Sequence, residues 1–284
     1  MTRCILLTPC LEYDDWLREI ARGVADAGLE LIVVHSEVSP QMIDAVYLST
    51  NPVYLRPTQD AETTVIVSHV ESAVRQTETL TGATKLDAVV DASRLLAEAF
   101  DFTAQRRFDD IGLADKIEIE LFQSITARVP GKKAFELSPI EVAAKEALLE
   151  LSPDTATANW SPILFDFDRR RPVRAEAGVH VIDLTGPPRA FQHGPYLTLP
   201  AGTWEICVSF SVDADAMRYR FCLRWGTLDK HIAYPISFPR PGLYEATLTY
   251  VWEKSAKAEL RMEVLEGCMD GQVFFYGCKV RKIS

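Results

Sequence analysis

Arginines recur at every second or fourth position in the segment MRYRFCLRWG, residues 217–226. On an extended strand they would share one side, with neighbours about 7 Å apart. A guanidinium group meets a carboxylate through two parallel hydrogen bonds, so the row predicts a site for an acidic sugar chain. The alternative is a solvated face whose arginines pair with Glu205 or Glu263 on neighbouring strands. The predicted ligand residues on this strand are Arg218, Arg220, Arg224 and Trp225.

A second set of polar and aromatic side chains lies in the preceding segment RAFQHGPY, residues 189–196. Sugars present CH faces and hydroxyl edges, and a sugar site therefore combines flat rings with fixed hydrogen-bonding groups. We expect this loop to share the rim of the arginine site. Its predicted ligand residues are Arg189, Gln192, His193 and Tyr196.

Two acidic residues follow an apolar run in PILFDFDRRR, residues 162–171. Asp166 and Asp168 resemble the DxD motif of glycosyltransferases, whose carboxylates hold a divalent metal against a sugar diphosphate. This spacing is common by chance, and three arginines follow it. The sequence therefore favours a solvent-facing strand end, with a metal-dependent glycosyltransferase as the alternative.

Cysteine and histidine side chains give a further catalytic candidate near the N-terminus. Cys10 follows an apolar strand, and His35 and His69 end two others, so a Cys/His pair at one sheet edge is a hypothesis. The acidic residues around Cys10 disfavour a thiolate there. The same turn, TPCLEYDD, holds no glycine, which disfavours phosphate binding. All six cysteines lack metal-ligand spacing and are interpreted as reduced thiols.

Composition limits the classes of partner. The chain has 284 residues and a net charge of −10, and the acidic excess lies in residues 1–177, with 18 Lys/Arg against 29 Asp/Glu. Nucleic acid is therefore excluded as an expected partner, because binding it requires a strongly basic surface. No apolar run approaches the about 20 residues that span a bilayer, and acidic residues interrupt the N-terminus. We expect cytoplasmic synthesis, no signal peptide and no membrane insertion.

Element signals divide the chain into an α/β part and an all-β part. CILLT, then a helical pattern through Trp16, Ile20 and Val24, then LELIVVHS, predict a βαβ unit and a parallel sheet. Helices are expected from Ser39, over 70–100 with a break near Gly82, over 109–125, and from a capping box at residues 138–141.

The C-terminal part alternates strands and turns from residue 179 onward. Fifteen of the 27 aromatic residues lie in residues 178–284. Period-two alternation predicts one buried and one wet face for each strand, which is typical of an antiparallel β-sandwich. The residues expected to point inward are Trp204, Ile206, Val208, Phe210, Ala246, Leu248, Tyr250 and Trp252.

The segment GPYLTLPAGTWEICVSFSVD, with the arginine-rich strand and the terminal VFFYGCKV, resembles jelly-roll carbohydrate-binding modules. It also resembles domains appended to surface-polysaccharide proteins of alphaproteobacteria, and no family resembles the N-terminal part. The resemblance covers about residues 180–283 and implies sugar binding. Many such modules hold a structural calcium; Asp213 and Asp215 are available for one, but no convincing ligand set accompanies them, and no cofactor is expected.

Together these patterns predict an α+β protein of two domains. A small α/β unit with a helical extension occupies residues 1–160, a linker residues 161–177, and a jelly-roll-like β-sandwich residues 178–284. The expected function is non-catalytic binding of bacterial capsule or exopolysaccharide, with the N-terminal part anchoring the protein to a partner or to its own copies, for example as a spike on a virus-like particle exported with it. The alternatives are the glycosyltransferase using Asp166 and Asp168 and a purely structural assembly protein. The glycan, the oligomeric state and the task of residues 1–177 are not specified by the sequence.

Overall fold

The chain folds into two compact units, Met1–Leu137 and Ser138–Ser284. The structure, a computed structural model, describes residues 2–37, 45–55, 61–109, 113, 115–148, 157–168, 170, 173–176 and 178–283. The predicted α+β class, with a parallel sheet followed by antiparallel sheets, is confirmed.

The first unit is built on a five-stranded parallel sheet in the order β2-β3-β1-β4-β5. Successive residues of the central strand β1 are buried on opposite faces, with Cys4 and Leu6 in one cluster and Ile5 and Leu7 in the other. Such burial on both faces explains why these strands read as continuous apolar runs. The strands are β1 (Arg3–Leu7), β2 (Glu30–Val33), β3 (Ala45–Ser49), β4 (Glu62–Ile66) and β5 (Arg106–Phe108).

In the described part of this unit, the sheet is accompanied by helices α1 (Tyr13–Asp26), α2 (Val70–Thr81) and α3 (Lys85–Asp101). The break expected near Gly82 separates α2 from α3, because Gly82 adopts a left-handed backbone with φ of 65° and Thr84 then caps α3. The helix expected from Ser39 over SPQMIDAVYLST is wrong in its described part, because Ala45–Ser49 form strand β3 of the parallel sheet. The beginning of that segment, up to residue 44, lies outside the described residues.

The helix expected over residues 109–125 is wrong for the part that the structure describes from residue 118. Those residues form an antiparallel hairpin of β6 (Glu118–Phe122) and β7 (Ile125–Arg128). Burial alternates along β6, which is the signature of a half-buried strand. The hairpin packs against α1, where a Cβ at Gly23 would collide with the backbone carbonyl of Thr126.

The second unit is a β-sandwich preceded by a short helix, α4 (Pro139–Ala147), whose predicted capping box between Ser138 and Glu141 is present. One sheet, the β14 sheet, has the order β10-β11-β19-β14-β17, with β8 also paired to β19. The other, the β18 sheet, has the order β16-β15-β18-β12-β9, with β13 also paired to β18. The strands are β8 (Ala158–Trp160), β9 (Asp166–Phe167), β10 (Arg174–Glu176), β11 (Val179–Asp183), β12 (Arg189–His193), β13 (Pro195–Leu199), β14 (Gly202–Val212), β15 (Phe221–Thr227), β16 (His231–Ile236), β17 (Gly242–Trp252), β18 (Ala256–Val264) and β19 (Gln272–Lys282).

The unit boundary lies well before the linker expected at residues 161–177. Within the described part of that segment and just ahead of it, β8 pairs with β19 and β9 pairs with β12. Trp160, Leu164 and Phe165 are each at most 4% exposed. These apolar side chains pack in the sandwich core, so the described residues that carry them are part of the fold.

Among the described residues, the helices are too short or too polar to cross a membrane.

Candidate functional site

A cavity of about 690 Å³ opens beside the β18 sheet of the second unit. Its volume is in the range of about 300–1,000 Å³ that is usual for small-molecule sites. The cavity combines ring faces with charged groups of both signs. Its lining residues are Asp166, Phe167, Asp168, Arg170, Pro188, Arg189, Ala190, His193, Tyr196 and Arg261.

The loop between β12 and β13 brings two rings to this cavity. Tyr196 has a left-handed backbone with φ of 64°, which is rare for a bulky residue and is found mainly where a side chain must be aimed. Its hydroxyl oxygen lies 2.6 Å from Nδ1 of His193 and 3.4 Å from Oε1 of Glu259. Burial, together with the nearby carboxylates of Glu259 and Asp166, raises the pKa of Tyr196 to about 12. The hydroxyl is therefore neutral across the physiological range.

Arg189 forms one wall of the cavity, and its guanidinium group is held within the protein. Its Nε lies 2.7 Å from Oδ2 of Asp168, while its two terminal nitrogens donate to the backbone carbonyls of Leu184 and Asp183 at 2.9 and 3.0 Å. The side chain is only 6% exposed. Arg189 therefore links the loop after β11 to Asp168, the residue after β9. Its role is to fix the shape of the cavity, because few of its N–H groups remain for a ligand.

A chain of polar contacts leads from the cavity across the β18 sheet. Arg261 donates to Glu259 at 2.9 Å, and its other terminal nitrogen lies 3.9 Å from Glu263. Glu263 accepts from Nε of Arg224 at 2.9 Å, and Arg224 in turn lies 2.9 Å from Nε2 of His231. Each of these four charged side chains, Glu259, Arg261, Glu263 and Arg224, therefore has an opposite charge beside it.

The predicted row of free arginines on one strand is wrong. Strand β15 begins only at Phe221, and Arg218 lies in a short 3₁₀ helix ahead of it. Arg218 contacts Asp215 at 2.6 Å and Asp270 at 3.1 Å. Arg220 lies 3.6 Å from Glu266, and Arg224 pairs with Glu263. The alternative, in which the arginines pair with glutamates on neighbouring strands, is correct for Arg224 and Glu263. None of these three arginines lines the cavity.

Two other predicted ligand residues are buried in the core. Trp225 is 0% exposed, with its ring centroid 5.9 Å from that of Trp160 and 5.0 Å from that of Trp252. Gln192 is also 0% exposed, because the pairing of β12 with β18 shifts register between Ala190 and Gln192. Such a bulge changes which side of the sheet the following residues face. Neither side chain can therefore meet a ligand on the surface.

Asp166 of β9 and Asp168, which directly follows that strand, both line the cavity. Besides Arg189, the carboxylate of Asp168 has Arg170 at 3.3 Å. Two guanidinium groups at one carboxylate oppose metal binding there, because they occupy its lone pairs and add positive charge. In the described part of the chain, no three acidic, histidine or cysteine side chains are grouped as metal ligands.

A smaller cavity of about 260 Å³ continues from the main one. The two share Asp168, Arg170 and Arg189, and the smaller one extends along Thr185, Gly186 and Pro187. The shared ion pair thus lies between two adjoining depressions.

Sequence reasoning missed Arg261 and used Glu263 only as a partner for the arginine row. The alternation of Glu259, Arg261 and Glu263 along AELRMEV marks the wet face of β18 and was available as a signal. That β18 lies next to β12 depends on pairing between distant segments, which alternation does not reveal.

The catalytic cysteine hypothesis has no support in the first unit. Cys10 is 1% exposed, and burial together with the nearby Glu12 carboxylate raises its pKa to about 12. Its thiol is therefore protonated and a poor nucleophile. His35 is exposed, whereas His69 lines a separate cavity of about 330 Å³ that Cys10 does not line.

The two residues available for a structural calcium have other roles. Asp213 accepts hydrogen bonds from the backbone N–H groups of Ala216 and Gln272 at 2.7 and 2.9 Å. Asp215 pairs with Arg218 at 2.6 Å. The carboxylates thus cap a turn and neutralise an arginine, and the set does not fit a calcium site.

Comparison with known proteins gives distant likenesses in structure alone. No family model matches the chain, and no curated protein matches it in sequence. Carbohydrate-binding modules are among its structural neighbours. TmCBM61, solved with β-1,4-galactotriose, is 7% identical with a TM-score of 0.29, over 46% of this chain and 84% of that one. The C-terminal CBM6 of LamC from Zobellia galactanivorans is 8% identical with a TM-score of 0.29, over 44% and 99%.

A third neighbour spans both units. The glycosylation-associated Gap123 complex of Streptococcus agalactiae is 9% identical with a TM-score of 0.31, over 89% of this chain and 49% of that one. Identities and TM-scores this low do not assign the chain to the family of any of these proteins.

Proposed function

We propose that the second unit binds a saccharide, without catalysis, in the cavity beside the β18 sheet. The observation that carries the proposal is the composition of the lining, in which the rings of Phe167, His193 and Tyr196 lie next to Asp166 and Arg261. A pyranose ring needs both features, because its CH faces pack on rings and its hydroxyls donate and accept hydrogen bonds at the edges.

The smaller adjoining cavity supports a ligand of more than one sugar unit. A chain lying across the Asp168–Arg189 ion pair would reach both depressions, as an internal stretch of a polysaccharide does. We therefore extend the proposal to bacterial surface polysaccharide, capsule or exopolysaccharide. Because most guanidinium groups on this face are already paired, the lining suits a neutral or weakly charged glycan.

The test is a pair of arginine variants in the full chain, titrated calorimetrically with oligosaccharides selected on a glycan array. Arg261→Ala removes a charged donor at the cavity, and we expect affinity to fall about tenfold, which is usual for a lost charge-assisted hydrogen bond. Arg218→Ala is the matched control, because Arg218 is also an ion-paired surface arginine but lies outside the cavity lining.

Far-UV circular dichroism should be unchanged in both variants. A loss of affinity in Arg218→Ala with none in Arg261→Ala would move the site to the loop ahead of β15. If no glycan binds the wild-type chain, the saccharide proposal fails. Turnover of sugar nucleotides with Mn²⁺ that Asp166→Asn abolishes would replace it with the glycosyltransferase alternative.

We further propose that the first unit attaches the protein to a larger assembly. Its separate fold, with its own sheet and cores, supports a division of labour between attachment and sugar binding. One version places the protein on a virus-like particle as a spike. Co-sedimentation of the chain with purified particles, lost when residues 1–137 are deleted, tests that version.

A further inference from the structure

The outermost strand of the β14 sheet, β17, is a long sheet edge. Strand β17 runs for 11 residues, Gly242–Trp252, and in the described chain it pairs only with β14. Its outward backbone N–H and C=O groups are therefore a template for another strand. The other outermost strands of the two sheets are shorter, with six residues in β16, three in β10 and two in β9.

Natural sheets usually protect such edges, and β17 lacks the usual protection. Strand β16 carries Pro235, which cannot donate a hydrogen bond to a further strand. The sequence of β17, GLYEATLTYVW, contains no proline, lysine or arginine. Its wet face exposes Leu243 by 67% and Val251 by 58%. An unprotected edge with exposed apolar side chains indicates a strand that is paired in the working protein.

The residue pattern of β17 is self-complementary, which favours a second copy of this chain as the partner. An antiparallel pair centred on Thr247 places Leu243 opposite Val251 of the partner strand, twice by symmetry. It also places Glu245 opposite Thr249, so no like charges meet. Moving the centre by one residue places Glu245 opposite Val251 or Leu243 opposite Thr249, and the apolar match is lost.

We propose that two copies of the protein associate through β17, antiparallel and centred on Thr247, so that the two β14 sheets become one continuous sheet. The contact joins equivalent surfaces, as a two-fold dimer requires. Tyr244 and Tyr250, which are partly buried in the isolated chain, would face each other across the new pair. The proposal does not depend on sugar binding.

Sedimentation equilibrium of the full chain in about 0.15 M salt tests the association, because this salt screens the repulsion between two acidic copies. We expect the mean mass to rise with concentration from 31.8 kDa toward twice that value. In the double variant Leu243→Lys/Val251→Lys, dimerisation should weaken about tenfold or more, because lysines then face each other at both apolar contacts. Both side chains are more than half exposed, so the chain should fold normally.

The matched control is Met269→Lys, which adds a charge at an exposed apolar residue away from β17. It should dimerise like the wild type. A wild-type chain that stays monomeric at all concentrations, or a double-lysine variant that dimerises as strongly, overturns the proposal.

Cysteine cross-linking tests the register independently. On a Cys207→Ser background, needed because Cys207 lies directly opposite Thr247 on β14, Thr247→Cys should form a disulfide-linked dimer on mild oxidation. Thr249→Cys on the same background should link far less, since its partner in this register is Glu245. Stronger linkage through residue 249 than through 247 would contradict the proposed pairing.

Discussion

Single residues decide the chemistry of the cavity, and Arg189 shows how. Sequence reasoning treated it as a ligand-binding arginine, but its nitrogens are bound to Asp168 and to two backbone carbonyls. An arginine that is 6% exposed, ion-paired to a carboxylate and hydrogen-bonded to two carbonyls acts through the loop that it holds. Arg261 and Arg170 are also ion-paired, but their side chains are 37% and 76% exposed, so they are the guanidinium groups of the site that a ligand can reach.

Replacing Arg189 by Met should lower the free energy of unfolding by about 3 kcal/mol, because Asp168 and the carbonyls would lose a buried partner. Arg170→Met is the matched control, since Arg170 contacts the same carboxylate from a mostly exposed position. It should change stability by no more than about 0.5 kcal/mol. Urea denaturation measures both. Equal effects would show that burial of the ion pair does not matter.

His180 on β11 gives a pH dependence at the residue scale. Burial lowers its pKa below the usual 6.5, and its ring packs against Phe167 with 4.6 Å between centroids. As pH falls below 6.5, the unfolded chain takes up a proton before the folded chain does, so stability is lost. Between pH 7.5 and 5, wild type should therefore lose more stability than His180→Phe. If the urea midpoints of the two proteins fall equally between pH 7.5 and 5, His180 is not the source of this pH dependence.

At the scale of elements, the long regular strands followed from the sequence and the interruptions did not. Alternation predicted the inward side chains of β14 correctly, and Trp204, Ile206, Val208 and Phe210 are at most 1% exposed. It failed in residues 217–220, where a 3₁₀ turn capped by Asp213 replaces the strand. Periodicity cannot distinguish a short alternating loop from a strand.

The candidate site was only partly predictable for a related reason. His193 and Tyr196 were identified from their own loop, and the structure places both in the cavity lining. Gln192 was misplaced because a bulge reverses the side it faces, and Arg261 was missed because it reaches the site through strand pairing across 60 or more residues. The local alternation of apolar and polar residues predicts which side chains are exposed to solvent. Which of these exposed side chains lie next to one another depends on strand pairing between distant segments.

At the scale of the whole molecule, the two units differ in architecture. The second unit begins at Ser138, well before residue 179, where the alternating strand pattern of the sequence starts. The change to alternating strands at residue 179 suggested that the sandwich starts there. The buried Trp160 and Phe165 show that the core needs the preceding segment.

A fragment of residues 138–284 should therefore fold cooperatively, and a fragment of residues 178–284 should not. The shorter piece lacks β8 and β9, and it leaves a gap in the core where Trp160 packs on Trp225. Near-UV circular dichroism and thermal unfolding distinguish the two fragments. If the fragment of residues 178–284 unfolds in a sharp thermal transition at the same temperature as the fragment of residues 138–284, the domain boundary lies at residue 178.

The pairing of charges around the cavity has a consequence for kinetics. Three guanidinium groups and two carboxylates line it, and a further carboxylate, Glu259, pairs with Arg261. With so little net field, the site cannot draw a polyanion from a distance, and association should be slow compared with electrostatically steered encounters. Under the proposed saccharide function, selection would then depend on how long a well-fitting ligand stays, and the dissociation rate would carry most of the discrimination between glycans.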